Sequence, residues 1–240
     1  MGMGSMWSIR DPMVTPETIA HGNSKFGELV LRRRSRGRDA TPSTVYELIS
    51  GGVFLMDSED PSTERRLASE SLARVPPPET VVIGGLGLGF TLMEVVASPL
   101  PRAIHVVEIE GLLVDWALQG LIPNVRSALQ DPRVQVHVGD MSTYVESLMP
   151  RSVDLILLDV DNGPEFLVHD SNASLYLSPF LETSRLTLRS GGLLTVWSSS
   201  RSARLREVLT GVFGQCDEVA FDIARAGRQF EYFLYFACHR

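Results

Sequence analysis

From residue 80 onward, short apolar runs alternate with segments in which hydrophobic residues recur at helical spacing. The runs are rich in β-branched residues, a pattern typical of parallel strands that are covered on both faces. They predict strands over residues 81–84, 104–108, 134–138, 154–159, 192–197, 217–223 and 231–238. The segments between them predict helices near residues 91–97, 111–119, 141–149, 173–188 and 202–213.

Strands that alternate with helices predict a parallel sheet, because a parallel crossover needs a long connection. Residues 224–229 are too few for a helix, so the last two strands should form an antiparallel hairpin. Gly191 and Gly192 should end one helix and begin the next strand. The predicted fold class is α/β, a doubly wound, mostly parallel seven-stranded sheet of Rossmann-like type.

The first quarter of the chain has a different pattern. Residues 1–25 are interrupted by prolines and a glycine and are predicted to be irregular. Strands are predicted over residues 26–34, 45–50 and 53–56, which together make a small antiparallel N-terminal β unit. We therefore expect two domains, residues 1–60 and residues 61–240, the second beginning with a helix from Ser62 or Thr63 to Arg74.

Composition narrows the classes of function. The chain has 240 residues, 44% of them hydrophobic, and a formal net charge of −7, which argues against nucleic acid as a partner. Its two cysteines and five histidines show no metal-ligand spacing, so no metal is expected. No apolar run is long enough to span a membrane and no signal peptide is evident, so a cytoplasmic protein is expected.

A glycine-rich turn follows the strand at residues 81–84 and leads into a helix, a geometry typical of nucleotide-binding sites. The alternative is a tight turn without a ligand. Glu108 ends the next strand, where an acid can accept hydrogen bonds from both ribose hydroxyls of a nucleoside. Its alternative is an exposed acid at a strand end. The cofactor-binding candidates here are Gly84, Gly85, Gly87, Gly89 and Glu108.

Further candidates follow the next two strands. Asp140 could accept a hydrogen bond from an adenine amine, and Met141 could pack on the ring. Asp159 and Asp161 follow the fourth strand and are the catalytic candidates. Each acid could instead be an ordinary turn residue. Because ligands bind beyond the carboxyl ends of such strands, we expect these side chains to meet.

Other residues support weaker interpretations. Tyr176 and Trp197 are expected to belong to the core, and His169 lies in a long loop that could form a lid. The basic run over residues 32–38 is expected to be a solvated hairpin tip, with a phosphate or acidic-partner site as the alternative. A serine hydrolase is excluded because there is no G-x-S-x-G motif, and a P-loop because no G-K-[ST] follows the glycines.

Several of these segments resemble the polyamine synthases, the spermidine synthase-like branch of the class I S-adenosylmethionine-dependent methyltransferase fold. The resemblance covers most of the chain. The segments that carry it are Tyr46 to Met56, Val82-Ile83-Gly84-Gly85-Leu86-Gly87, Val107-Glu108-Ile109-Glu110, Asp131-Pro132-Arg133-Val134, Val138-Gly139-Asp140 and Leu157-Leu158-Asp159-Val160-Asp161.

The resemblance implies that Glu108 holds the ribose, Asp140 the adenine amine, and Asp159 acts as the base. The implied reaction is aminopropyl transfer from decarboxylated S-adenosylmethionine to an amine, with S-adenosylmethionine as the other possible co-substrate. It also implies a homodimer. The chemistry is feasible because the sulfonium is a good leaving group, so alignment and one proton acceptor suffice.

The chain departs from the family pattern at two places. The glycine loop carries no acid, whereas the family has an aspartate there that grips the propylamine. Residues 62–67 replace a tyrosine–glutamine pair that helps line the polyamine groove. The alternatives are therefore a small-molecule methyltransferase, whose co-substrate keeps its carboxylate, and a non-catalytic homologue.

Overall fold

Two β-sheets organise the chain in a computed structural model that describes residues 16–36, 43–167, 169–225 and 228–239. The first sheet is antiparallel and has four strands in the order β1-β2-β3-β4. Its strands are β1 Glu17–Ser24, β2 Gly27–Arg36, β3 Ser43–Ser50 and β4 Val53–Asp57. The prediction of a small N-terminal antiparallel unit is confirmed.

The prediction that residues 1–25 are irregular is wrong for β1. This strand lies at the sheet edge and pairs with β2 through a turn at Lys25 and Phe26. Its residues are mostly exposed or half-buried, so its sequence lacks the apolar alternation that marks a strand with one covered face. The ladder with β2, rather than a local pattern, makes it a strand.

The second sheet has seven strands in the order β10-β11-β9-β8-β5-β6-β7. β5 to β9 pair in parallel, and β10 and β11 form an antiparallel hairpin at one edge. This confirms the predicted α/β class. The strands are β5 Thr80–Gly84, β6 Ala103–Glu108, β7 Val134–Val138, β8 Val153–Leu158, β9 Leu188–Ser198, β10 Asp217–Arg225 and β11 Arg228–Cys238.

Seven α-helices are described, and none of them combines the length and apolar character of a membrane span. The single helix predicted over residues 173–188 is wrong: a 3-10 helix covers Asp170–Tyr176, and an α-helix begins only at Ser178 because Pro179 fits the first turn alone. The helices are α1 Ser62–Leu72, α2 Phe90–Ala97, α3 Gly111–Leu118, α4 Val125–Leu129, α5 Met141–Glu146, α6 Ser178–Thr187 and α7 Ala203–Phe213.

The glycine pair at residues 191–192 does not end a helix, contrary to the prediction. β9 begins at Leu188, directly after α6, and the pair lies within the strand where its register with β8 shifts. A Cβ on Gly192 would lie 2.9 Å from the carbonyl oxygen of Arg189 and 3.0 Å from that of Asp154. The two glycines therefore allow the irregular pairing of β9 with β8, which the local sequence does not reveal.

Hydrophobic side chains cover both faces of the large sheet. One face packs against α1 to α4, and this core also contains Leu29, Leu31 and Leu48 of the small sheet. The other face packs against α5 to α7. As β6 and β8 flank β5 on opposite sides, the chain reverses its direction across the sheet there, and the carboxyl ends of these strands leave an open crevice.

Helix α1 is held to the sheet by a buried hydrogen bond. The Ser71 hydroxyl donates to Thr195 Oγ1 at 2.7 Å, and both residues have no exposed surface. We predict that S71A lowers the free energy of unfolding by about 1–3 kcal/mol, because the Thr195 hydroxyl loses its buried partner. Urea denaturation of the variant checks this prediction.

S71A has two controls, one elsewhere on the same helix and one that also changes its hydrogen-bond partner. S69A removes an exposed hydroxyl from α1 and should change stability by less than about 0.5 kcal/mol. The double variant S71A/T195V should recover part of the loss, because no hydroxyl is then left unpaired. Equal stability of S71A and the parent protein would contradict the assigned role of this hydrogen bond.

Candidate active site

A cavity of about 360 Å³ opens at the carboxyl ends of β5, β6 and β8. The small sheet forms its opposite wall with apolar side chains, including Leu48, Phe54 and Met56. The large sheet contributes the glycine turn and the strand-end acids. The N-terminal unit therefore closes a crevice that the large sheet alone would leave open.

The glycine turn needs its glycines for two reasons, conformation and space. Gly85, Gly87 and Gly89 all have positive φ angles, of 92°, 50° and 82°. A Cβ on Gly85 would lie 2.2 Å from the Asp159 carbonyl oxygen, and one on Gly89 would lie 2.2 Å from a methyl carbon of Val125. Gly85 and Gly87 line the cavity, whereas Gly84 and Gly89 support the turn from behind.

Glu108 ties the glycine turn to the end of β6. Its Oε2 accepts a hydrogen bond from the Leu86 backbone N–H at 2.7 Å, and its Oε1 accepts one from the Glu110 N–H at 2.8 Å. Burial raises the pKa of this carboxyl group. Each carboxylate oxygen has a second acceptor position, so Glu108 can still receive hydrogen bonds from a ligand in the cavity that it lines.

The two predicted adenine contacts have different surroundings. Met141 and Gly139 line the cavity. Asp140 lies outside the cavity lining and caps α5: its Oδ1 accepts hydrogen bonds from the Ser142 N–H at 2.9 Å and from the Thr143 N–H at 3.1 Å. An aspartate that caps a helix has a structural role of its own, and its predicted binding role stays a prediction.

Asp159 lines the cavity and contacts α2. The Thr91 hydroxyl donates to its Oδ2 at 2.6 Å, and burial raises the pKa of the Asp159 carboxyl group to about 6. At neutral pH this group is therefore mostly a carboxylate. A carboxylate in the cavity lining can accept a proton.

The next acid of this loop, Asp161, also lines the cavity. It has a φ angle of 55°, a left-handed conformation that aspartate tolerates better than most residues. The Tyr176 hydroxyl donates to the Val160 carbonyl oxygen at 3.0 Å and so holds the loop in place. Tyr176 is therefore a core residue, as predicted, and it also supports the loop that carries Asp161.

Glu64 of α1 is a cavity residue that sequence analysis did not single out. The Thr63 hydroxyl donates to its Oε2 at 2.7 Å, and the Thr91 hydroxyl lies 3.2 Å from its backbone carbonyl oxygen. Burial and, next, the charge of Asp159 raise the pKa of the Glu64 carboxyl group to about 7. The sequence offered one signal only, an acid in the first turn of a helix.

The remaining candidates divide between the cavity and the surface. Trp197 and His169 both line the cavity; Trp197 packs at 5.3 Å from the Tyr232 ring, and His169 at 5.3 Å from the Phe26 ring. The described part of the basic run makes ion pairs within the small sheet, for example Arg34 with Glu47. Gly37 and Arg38 lie outside the described residues.

The cavity is strongly acidic. Among the described residues that line it, none is a lysine or an arginine, and His169 is the one basic side chain. No group of three or more His, Cys, Asp or Glu among the described residues is arranged to hold a metal ion. The acidic lining residues are Asp57, Asp60, Glu64, Glu108, Glu110, Asp159 and Asp161.

The sequence is similar to those of two kinds of transferase. Spermidine synthase 2 of Datura stramonium is 25% identical over 182 residues, which are 74% of this chain and 55% of that protein. Putrescine N-methyltransferase 2 of Nicotiana tabacum is 29% identical over 150 residues, 62% of this chain and 40% of that protein. The chain thus spans about half the length of the curated relatives it matches.

The fold is similar to that of a solved structure, and the sequence matches a family model. The crystal structure of spermidine synthase from Thermotoga maritima has a TM-score of 0.75 and 18% identity, and the match covers 93% of this chain and 73% of that one. At that identity, the structural likeness concerns the fold. The model of the spermine/spermidine synthase domain matches residues 67–225. The chain therefore belongs to the spermine/spermidine synthase family.

Proposed function

We propose that this protein is a transferase that moves an aminopropyl group from decarboxylated S-adenosylmethionine to an amine. The observation that carries this proposal is the charge of the cavity, where the described lining has acids but no lysine or arginine. Such a cavity favours ligands with a net positive charge, since unlike charges attract strongly where water is excluded. The sulfonium and the ammonium of this co-substrate both fit that requirement.

The adenosyl part would occupy the β5–β6–β7 side of the cavity. In this proposal Glu108 accepts hydrogen bonds from the ribose hydroxyls and Met141 packs on the adenine. Asp140 would reach the adenine amine through Oδ2, since its Oδ1 makes the cap hydrogen bonds. Gly85 and Gly87 let the ligand approach the backbone closely.

Asp159 would act as the general base. The amine nitrogen attacks the carbon next to the sulfonium, so that a C–N bond forms and the C–S bond breaks with its electrons going to sulfur. The leaving product is neutral methylthioadenosine. The amine proton passes to Asp159. A carboxyl group with a pKa of about 6 is still mostly ionised at neutral pH and holds a proton more tightly than an unshifted aspartate, which supports this role. Asp161 lines the same end and would help to orient the amine.

Methyl transfer from S-adenosylmethionine is the second candidate. It is favoured by the absence of an acid from the glycine turn and by the similarity to a putrescine N-methyltransferase. The acidic lining weighs against it, because the co-substrate carboxylate would meet Glu64 and Asp159 and no lysine or arginine of the described lining.

Three further expectations stay predictions. The division of the chain near residue 60 is supported by the two separate sheets. A homodimer is supported by the family resemblance, and a cytoplasmic location by the sequence pattern alone.

Calorimetric titration with both forms of the co-substrate tests the proposal. We predict that the decarboxylated form binds about tenfold tighter or more, a difference of at least ~1.4 kcal/mol. The reason is that the cavity acids would repel the carboxylate that S-adenosylmethionine keeps. Tighter binding of the carboxylated form would overturn aminopropyl transfer in favour of methyl transfer. Failure of both forms to bind would exclude adenosyl chemistry.

D159N tests the catalytic role of the carboxylate. We predict a loss of about 10²- to 10⁴-fold in turnover, the usual contribution of a general base, with unchanged affinity for neutral methylthioadenosine. Asp115 of α3 is exposed and outside the cavity lining, so D115N is the matched control and should keep full activity. Full activity of D159N would instead support a different base or a non-catalytic homologue.

A further inference from the structure

Glu64 is an acid in the cavity that the proposed reaction does not yet use. It belongs to the first turn of α1 and lines the cavity. An acid is favourable in a first helical turn, but that interaction does not require the side chain to be withdrawn from water. The position of Glu64 at the cavity wall therefore needs another explanation.

The surroundings of Glu64 contain negative charge and hydroxyl groups. Asp159 is the charged group that acts on it most strongly, followed by Asp60. The Thr91 hydroxyl contacts both the Asp159 carboxylate and the Glu64 backbone, which brings the two residues to one wall. Withdrawing two carboxylates from water without a cation between them is unfavourable. Both residues are half-buried and each carboxylate accepts a hydroxyl hydrogen bond, so a positively charged group at this wall would mainly relieve their mutual repulsion.

A second observation in the same cavity concerns Trp197. Trp197 lines it and is 8% exposed, yet its Nε1–H has no hydrogen-bond partner among the described residues. Buried N–H donors in folded proteins are almost always paired. The orphaned donor thus indicates a ligand in this cavity that offers a hydrogen-bond acceptor, and the two acids favour one that also carries a positive charge.

We propose that Glu64 is a specificity-determining residue, whose carboxylate, with Asp159 beside it, binds the ammonium group of the decarboxylated co-substrate. This inference rests on the proposed function. The glycine turn offers only backbone groups to the ligand, so the negative charge for that ammonium comes from α1 instead. A co-substrate that keeps its carboxylate would bring a third negative group to this wall and bind more weakly.

Titration of E64Q with three ligands tests this role. We expect the affinity for decarboxylated S-adenosylmethionine to fall by about tenfold or more, as a charge-assisted hydrogen bond is lost. Affinity for methylthioadenosine, which has no ammonium, should stay the same. The preference for the decarboxylated over the carboxylated co-substrate should fall by the same factor as the affinity for the decarboxylated one.

The matched control is E182Q, which removes one negative charge from an exposed position on α6 outside the cavity lining. It should leave all three affinities unchanged. Undiminished affinity of E64Q for the decarboxylated co-substrate would overturn the role of Glu64 while leaving the proposed function intact. If the parent protein bound neither that co-substrate nor methylthioadenosine, the proposed function itself would fail.

The stability of the ligand-free protein should also depend on Glu64 in a pH-dependent way. Its pKa in the folded protein, about 7, lies above the reference value of 4.5, so the folded state holds more protons between these values. Stability should therefore fall as the pH rises through this window. Asp159 contributes in the same direction at lower pH, and Asp60 adds to the repulsion.

Thermal unfolding of E64Q at several pH values checks this expectation. The variant should have a higher Tm than the parent protein at pH 8 and nearly the same Tm at pH 4, because the parent side chain is mostly neutral there in both states. E182Q should follow the parent protein. Parallel Tm profiles of E64Q and the parent protein would show that Glu64 is solvated rather than held at the cavity wall, which contradicts the proposal.

Discussion

The close approach of the glycine turn to the end of β8 is the contact on which the site depends. Space for a side chain is missing at Gly85, because a Cβ there would lie 2.2 Å from the Asp159 carbonyl oxygen. The Asp159 N–H donates to the Gly84 carbonyl oxygen at 2.8 Å, so the turn and the loop that begins at Asp159 share one edge. Glu108 fixes the other side of the turn through the Leu86 N–H. A ligand on this turn would meet both carboxylates.

The acids that line the cavity oppose stability, and this cost is a sign of function. Burial raises the pKa of Glu108, Asp159 and Glu64, so each of these groups would be ionised more readily in water. Groups with such shifts cluster at active sites. The rest of the chain compensates through two hydrophobic cores, one on each face of the large sheet.

Local pattern predicted the large sheet well because its strands are buried on both faces. Within the predicted strands, residues 81–83 and 155–158 are apolar throughout, which few other structures require. The pattern failed where pairing or packing overrides it. β1 is mostly exposed and depends on β2, the helix at residues 173–188 is broken near Pro179, and the short helix α4 was not predicted because five residues carry too little periodicity.

The sequence by itself determined the fold class, the glycine turn and the strand-end acids Glu108, Asp159 and Asp161, because parallel strands bring their carboxyl ends to one edge. Only the tertiary structure decided that Glu64 joins Asp159 and that Asp140 caps α5 outside the cavity lining. The reason is physical: which acids meet across a cavity depends on how α1 and the small sheet pack on the large one, and such packing joins residues far apart in the chain.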